Sequence, residues 1–379
     1  MSSSPTTPAP TAPAHPPHLS VLDGWRGISI LLVLAAHLLP PGPHHYMFNY
    51  SVGILGMVVF FNLSGFLITS FLLKDQRVVG FLIKRFCRVL PLAWLYMLIA
   101  LLASGAPLAV WLGHFLFYAN MPPGDGRFNL LLPMTEHLWS LCMEMQFYVG
   151  VALLVWLLRA RGLLLLPLLA LGFTALRVWE IVMASSVSYY RIDEILAGCI
   201  LALAYHGKLG ANARRWMVRV PQLPLLVLLT WSCMPQGQWL NYLRPYLAAL
   251  LVGATLVRPD AVLGRALHGR FLVFVAGISY ALYVIHPMLA HTWLGDGGGD
   301  VLVKYAKRPL LFLALFALAW LSTRYYEAWF MAAGRRWADR FGGKRAAPAA
   351  SVPVPVPAAH KADPADPAAK PDDITLSQP

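Results

Sequence analysis

The chain has 379 residues, of which 58% are hydrophobic and only 12% charged. Soluble domains carry about a quarter charged residues, so this composition excludes a water-surrounded globule and calls for the bilayer as solvent. The net charge of +13 does not point to nucleic acid, because polytopic membrane proteins concentrate Lys and Arg in the loops that stay cytoplasmic.

Residues 1–19 are rich in Pro, Ser, Thr and Ala and hold no Lys or Arg, so they lack the charged start of a signal peptide and are expected to form a disordered tail. Between 20 and 340 the chain reads as an all-α, polytopic integral membrane helix bundle. Apolar runs bounded by charges or by Pro and Gly predict about ten spans, near 22–40, 53–73, 89–104, 138–158, 162–180, 190–206, 221–235, 239–257, 271–293 and 308–331. The apolar stretch Leu108–Tyr118 is too short to cross and is expected to lie in the interface or re-enter. Residues 341–379, Pro- and Ala-rich, are expected to be a disordered cytoplasmic tail. With both termini cytoplasmic, most of the 30 Lys and Arg fall on the cytoplasmic side. Cys87, Cys142, Cys199 and Cys233 show neither a CxxC pair nor metal-ligand spacing, so no disulfide or metal is expected.

Ionisable residues inside spans are costly and therefore mark function. In the first span Arg26 and His37 lie eleven residues apart, on one helix face and about 16 Å from each other. Glu144 in the fourth span and His286 in the ninth are expected at a depth similar to His37, so three helices are expected to converge on one site. A histidine beside a carboxylate is a general base for a hydroxyl proton. At the start of the third span Arg85 and Arg88 share a face and present two guanidinium forks suited to phosphates. The plainer readings are isolated structural hydrogen bonding for the histidines and the positive-inside bias for the arginines. In the outer loops Arg127, Arg177, Arg191 and Arg244, with Tyr189, Tyr190, Trp239 and Tyr242, suit an anionic or sugar ligand, or an interfacial aromatic belt.

Several blocks resemble the acyltransferase 3 family of bacterial membrane acyltransferases. Leu22-Asp23-Gly24-Trp25-Arg26 followed by His37 looks like its opening motif, and Phe60 to Thr69, with Ser64, is similar to its second-span signature. Arg85 to Arg88 matches its Arg-x-x-Arg. Trp139-Ser140-Leu141 through Glu144, Gln146 and Tyr148 matches a fourth block, and Ser279-Tyr280 to His286-Pro287 a late one. Two departures stand out: Asn62 replaces an aliphatic residue, and no Pro follows Glu327. With no soluble domain after the last span, the chain is expected to be the membrane-only form.

The resemblance implies a bacterial inner-membrane enzyme that moves an acyl group, most often acetyl, from acyl-CoA to a hydroxyl of exopolysaccharide, lipopolysaccharide or another envelope carbohydrate. The acyl-CoA is a donor substrate; no tightly bound cofactor and no metal are expected, and the partners are donor, carbohydrate, membrane lipid and no nucleic acid. His37 is then the catalytic base, supported by Glu144 or Asp23. Arg85 and Arg88 bind the CoA phosphates and Arg26 steers the donor. Ser64, Ser140, Tyr280 and His286 are further candidates. The alternative is a transporter or flippase of a lipid-linked sugar, although no inverted repeat of short broken helices is visible.

Overall fold

The computed structural model describes residues 17–121 and 132–343, in which every regular element is helical. In chain order the α-helices are α1 (Pro17–Leu38), α2 (Phe48–Lys74), α3 (Val78–Ser104), α4 (Leu108–Phe115), α5 (Trp139–Leu158), α6 (Leu166–Trp179), α7 (Asp193–Tyr205) and α8 (Ala211–Arg219). They continue as α9 (Gln222–Ser232), α10 (Leu240–Val257), α11 (Val262–Ala266), α12 (Arg270–Gly277), α13 (Ser279–Ala290), α14 (Val301–Ala306), α15 (Arg308–Leu321) and α16 (Ala328–Phe341). Most of the two expected tails and Arg127 lie outside the described residues.

The chain is a helical membrane protein, but its helices do not give ten crossings. Five runs are long and apolar enough to cross: Ser20–Leu38, Phe48–Lys74, Val78–Ser104, Glu136–Trp179 and Leu240–Val257. Helices α12 and α13 together make a sixth, bent by 70°. The shortfall is one of length. Helices α7 and α9 have 13 and 11 residues, roughly 16–20 Å at 1.5 Å per residue against ~30 Å of hydrocarbon. Hydropathy adds apolar residues across turns where the backbone has already stopped. The expected spans 138–158 and 162–180 belong to one helical run, joined by a 3-10 stretch over Arg159–Leu165 in which Arg159 has φ 56°. The final span passes through a π-helical turn, Ser322–Glu327, and continues to Phe341 rather than ending near 331.

Helix α1 lies along α2 and α12, α2 along α7, and α3 along α16 and α5. Leu153, Trp156, Leu157, Leu168 and Leu171 remain exposed on α5 and α6, as lipid-facing side chains do. The α2–α7 contact is made by small residues. A Cβ on Gly65 would lie 1.9 Å from the Ile195 carbonyl oxygen, and one on Gly198 would lie 2.0 Å from that of Asn62. Nothing but hydrogen fits at either point, so the two backbones touch. Asn62 itself is fully buried and donates from Nδ2 to the carbonyls of Val58 (3.0 Å) and Pro245 (3.3 Å), tying α2 to α10. This is a job that an aliphatic side chain at Asn62 cannot do.

Gly198→Ala is therefore expected to push α7 off α2, lowering the thermal midpoint and the monodisperse yield by an amount corresponding to ~1–3 kcal/mol. Gly172→Ala, on the exposed side of α6 where a Cβ meets nothing within 4 Å, serves as the control and leaves both unchanged. Equal behaviour of the two variants in size-exclusion and unfolding measurements rejects the close-crossing argument.

Candidate active site

Three histidines meet at one end of the bundle. His37, near the end of α1, faces His286 of α13 with ring centroids 5.1 Å apart, and His286 faces His137, in the turn before α5, at 5.3 Å. His37 Nδ1 is 2.8 Å from the Val33 carbonyl. A carbonyl only accepts, so the neutral ring carries its proton on Nδ1 and leaves the Nε2 lone pair free to receive another. His286 is fixed in the same way by the Tyr283 carbonyl at 2.8 Å, and its Nε2 has no partner. Tyr283 donates its one phenolic proton to the His137 carbonyl, which makes Ser140 the donor in the 2.6 Å bond between the two hydroxyls. Beside His37 opens a cavity of about 480 Å³, lined among others by His137, Trp139, Tyr283, Asn49, Tyr50 and Arg191.

A second cavity, of about 220 Å³, lies at the opposite end of α3. Its lining holds Lys84, Arg85, Arg88 and Arg335 together with Phe71, Phe81 and Met331, and no carboxylate. Arg85 rests over the rings of Phe81 (5.8 Å) and Tyr148 (5.7 Å), which fix its guanidinium without neutralising it. The walls of this cavity come from α2, α3 and α16, and Arg77 clamps them. It donates to Asp75 from Nε (3.0 Å) and Nη2 (2.7 Å) and to the Gly343 carbonyl from Nη1 (2.8 Å). Hydrogen bonding from Arg77 holds the Asp75 carboxyl below its usual range. Arg26 pairs with Asp23 at 3.4 Å and lies within electrostatic reach of Arg85, Arg88 and Glu144.

Glu144 sits between the two ends and not beside His37. Its Oε1 accepts from Ser64 (2.7 Å) and from Tyr148 (2.5 Å), so it joins α2 to α5 and steadies the ring under Arg85. The sequence places Glu144 seven residues beyond His137, about two turns or ~10 Å deeper. The expected level with His37 fails because the imidazole layer lies at the turn before α5. Asp23 is also remote: fourteen residues before His37 on one helix, it is ~21 Å away. His37 and His286 are brought together as expected; Arg26, Arg85 and Arg88 gather as expected at the other end. Tyr280 donates to the Val89 carbonyl (2.6 Å) and joins α13 to α3. Glu327, buried in the π-helical turn, accepts from Ser322 and Thr323.

His137 and Arg335 are not among the site candidates drawn from the sequence, and Tyr148 enters only as part of the fourth block. His137 stands outside any apolar run, Tyr148 looks like one more aromatic in a span, and Arg335 like one more cytoplasmic cation. Of the outer arginines, Arg177 and Arg244 are fully buried in ion pairs with Asp193 (2.5 Å) and Glu194 (3.0 Å), and are committed to holding α6, α7 and α10. Only Arg191 among the described three reaches the His37 cavity. Gln146, in the fourth block, is spent on Phe117, Asn120 and Ser188.

The chain is 26% identical over 317 residues to the peptidoglycan O-acetyltransferase OatA of Listeria monocytogenes, covering 72% of this chain and 49% of that protein. It is 25% identical over 312 residues to the O-acetyltransferase OatA of Staphylococcus aureus, covering 72% of this chain and 50% of the relative. The chain thus spans about half the length of these relatives. No solved structure matches it. The acyltransferase domain family matches residues 19–324, a stretch that contains His37, Glu144, His286 and both Arg85 and Arg88, and the chain belongs to that acyltransferase family.

Proposed function

We propose that the protein is a membrane O-acyltransferase that moves an acetyl group from acetyl-CoA, bound at the Arg85 cavity, to a hydroxyl of an envelope carbohydrate bound at the His37 cavity. One observation carries this reading: in a bundle of an acyltransferase family, a pocket holding four cations lies at one end and an imidazole with a free lone pair faces a cavity at the other. The acceptor class follows the relatives, one of which is named for peptidoglycan. In this reading the Arg85 end faces the cytoplasm of a bacterium, where CoA thioesters reside and where the positive-inside rule puts Lys and Arg. The site is then in the inner membrane with both termini cytoplasmic. The shorter helices α7 and α9 complete crossings where the bilayer thins around them.

The chemistry needs little apparatus. Arg85, Arg88, Arg335 and Lys84 bind the phosphates through charge-assisted hydrogen bonds. Arg26 lies about 16 Å along α1 from His37, a gap for the extended pantetheine arm to bridge. His37 Nε2 takes the acceptor hydroxyl proton as the oxygen attacks the thioester carbonyl. The new C–O bond forms, the C–S bond breaks, and the proton on the imidazolium passes to the leaving thiolate, giving the ester and free CoA thiol. Glu144 holds Tyr148 and Ser64 and so acts on the donor side.

The direct test is transfer of labelled acetyl from acetyl-CoA to envelope polysaccharide by membranes that contain the protein; membranes lacking it are expected to transfer none, and equal labelling rejects the proposal. His37→Ala is expected to cut turnover ~10²–10⁴-fold at unchanged membrane insertion, as loss of a general base does, and wild-type turnover in that variant removes His37 from the role. Arg85→Ala or Arg88→Ala is expected to raise the donor KM by roughly tenfold or more while sparing the acceptor KM; unchanged donor affinity in both variants returns the cluster to a topogenic role. For Glu144→Gln we expect a several-fold rise in donor KM with a smaller change in kcat, because the amide weakens the hold on Tyr148 below Arg85. A loss confined to kcat instead puts Glu144 next to the reacting groups.

A further inference from the structure

Where the start of α7 meets α6 and α10, three arginines face two carboxylates. Arg177 pairs with Asp193, while Arg244 (3.0 Å) and Arg191 (3.1 Å) share the two oxygens of Glu194. With all five ionised, the group carries one cation more than it has anions. Arg177 and Arg244 are saturated by further bonds: Arg177 donates to the carbonyls of Val182 and Met183, and Arg244 to Asn241 and Met183. Arg191 is not. Only its Nε is strongly held; Nη1 reaches the Ser185 carbonyl at 3.4 Å, and Nη2 is buried with no partner.

Arg191 is only 5% exposed, holds its guanidinium carbon 4.6 Å from the centroid of the Trp139 ring, and lines the same cavity as His37. An unpaired donor on a buried guanidinium is costly unless something enters the cavity to accept from it. The surplus is one charge, which matches a monoanion. The unpartnered Nη2 and the weakly held Nη1 sit side by side, a pair of the kind that grips a carboxylate through two parallel bonds. Of the lining residues, Glu136 is the carboxylate, and it is exposed.

We infer that Arg191 recognises a carboxylate on the acceptor, so that the substrate is an acidic sugar, a hexuronic acid or a sugar bearing a carboxyalkyl group, held by Arg191 while one of its hydroxyls meets His37. This rests on the reading of the His37 cavity as the acceptor site. The guanidinium then acts as a specificity residue: it rejects neutral sugars by remaining unpaired when they bind.

The test compares binding of methyl β-D-glucuronide with that of its uncharged methyl ester to the full-length protein in detergent, by thermal-shift titration, for the wild type, Arg191→Gln and Arg191→Lys. The wild type is expected to prefer the acid about tenfold or more, as a charged hydrogen bond provides. Arg191→Gln is expected to bring the ratio close to one, and Arg191→Lys to fall between, since an ammonium keeps the charge but not the fork. Each ratio is internal to one protein, so a lower folded fraction cancels. If Arg191→Gln does not survive extraction, the fall in ratio from wild type to Arg191→Lys decides. A wild-type ratio near one, no response to either compound, or a preference undiminished by both substitutions overturns the inference. Binding requires no acetyl transfer: an intact preference in a protein that transfers no acetyl group refutes the acyltransferase reading and leaves the carboxylate site standing.

Discussion

The contact of α2 with α7 at Gly65 and Gly198 governs the rest of the bundle. In hydrocarbon there is no hydrophobic drive between helices, so association comes from close van der Waals packing and from polar groups that find one another. Two glycines facing two backbone carbonyls supply the first, and Asn62 reaching the Pro245 carbonyl supplies the second. From this contact α2 carries Ser64 to Glu144, while α7 presents Asp193 and Glu194 to the arginines behind the His37 cavity.

The two ends solve opposite electrostatic problems. At the Arg85 end four cations share a small cavity without a carboxylate, an arrangement that repels itself and favours a polyanion in its midst. Aromatic rings hold Arg85 in place, because a carboxylate there would cancel the charge that the pocket needs. At the His37 end the rings meet each other, and backbone carbonyls fix the tautomers of His37 and His286. Neutral imidazoles with defined lone pairs cost far less in a membrane than an ionised dyad. Displacement of Glu144 from His37 fits that economy: a carboxylate satisfied by Ser64 and Tyr148 has no need of a buried cation beside it.

Structural and functional charge are interleaved around α7. Arg177 and Arg244 bury whole guanidinium groups by pairing and hydrogen bonding every side, whereas Arg191, one turn before Glu194, lines the cavity and leaves its buried Nη2 without a partner. Removing one member of a buried ion pair leaves the other uncompensated, so this network resists change more than a surface cluster would. The open valence of Arg191 is stable only because its neighbours are locked.

The sequence by itself determined the membrane environment, the helical class, the polar residues worth attention and the family resemblance. These follow from composition, from the cost of charge in hydrocarbon and from motif order, all of which are one-dimensional properties. The pairing of His37 with His286 was visible as a shared depth on two helices, and the gathering of Arg85 and Arg88 as a shared helix face. The number of crossings was not legible, because hydropathy registers neither the bend after Gly277 nor where the helical backbone of α7 and α9 stops. Only the tertiary structure decided that His137 joins the histidines, that Glu144 belongs to Ser64 and Tyr148, and that of the three described outer arginines only Arg191 lines the cavity. Each of those depends on which side chains from distant helices meet, and a buried group's role is set by the partners it finds there.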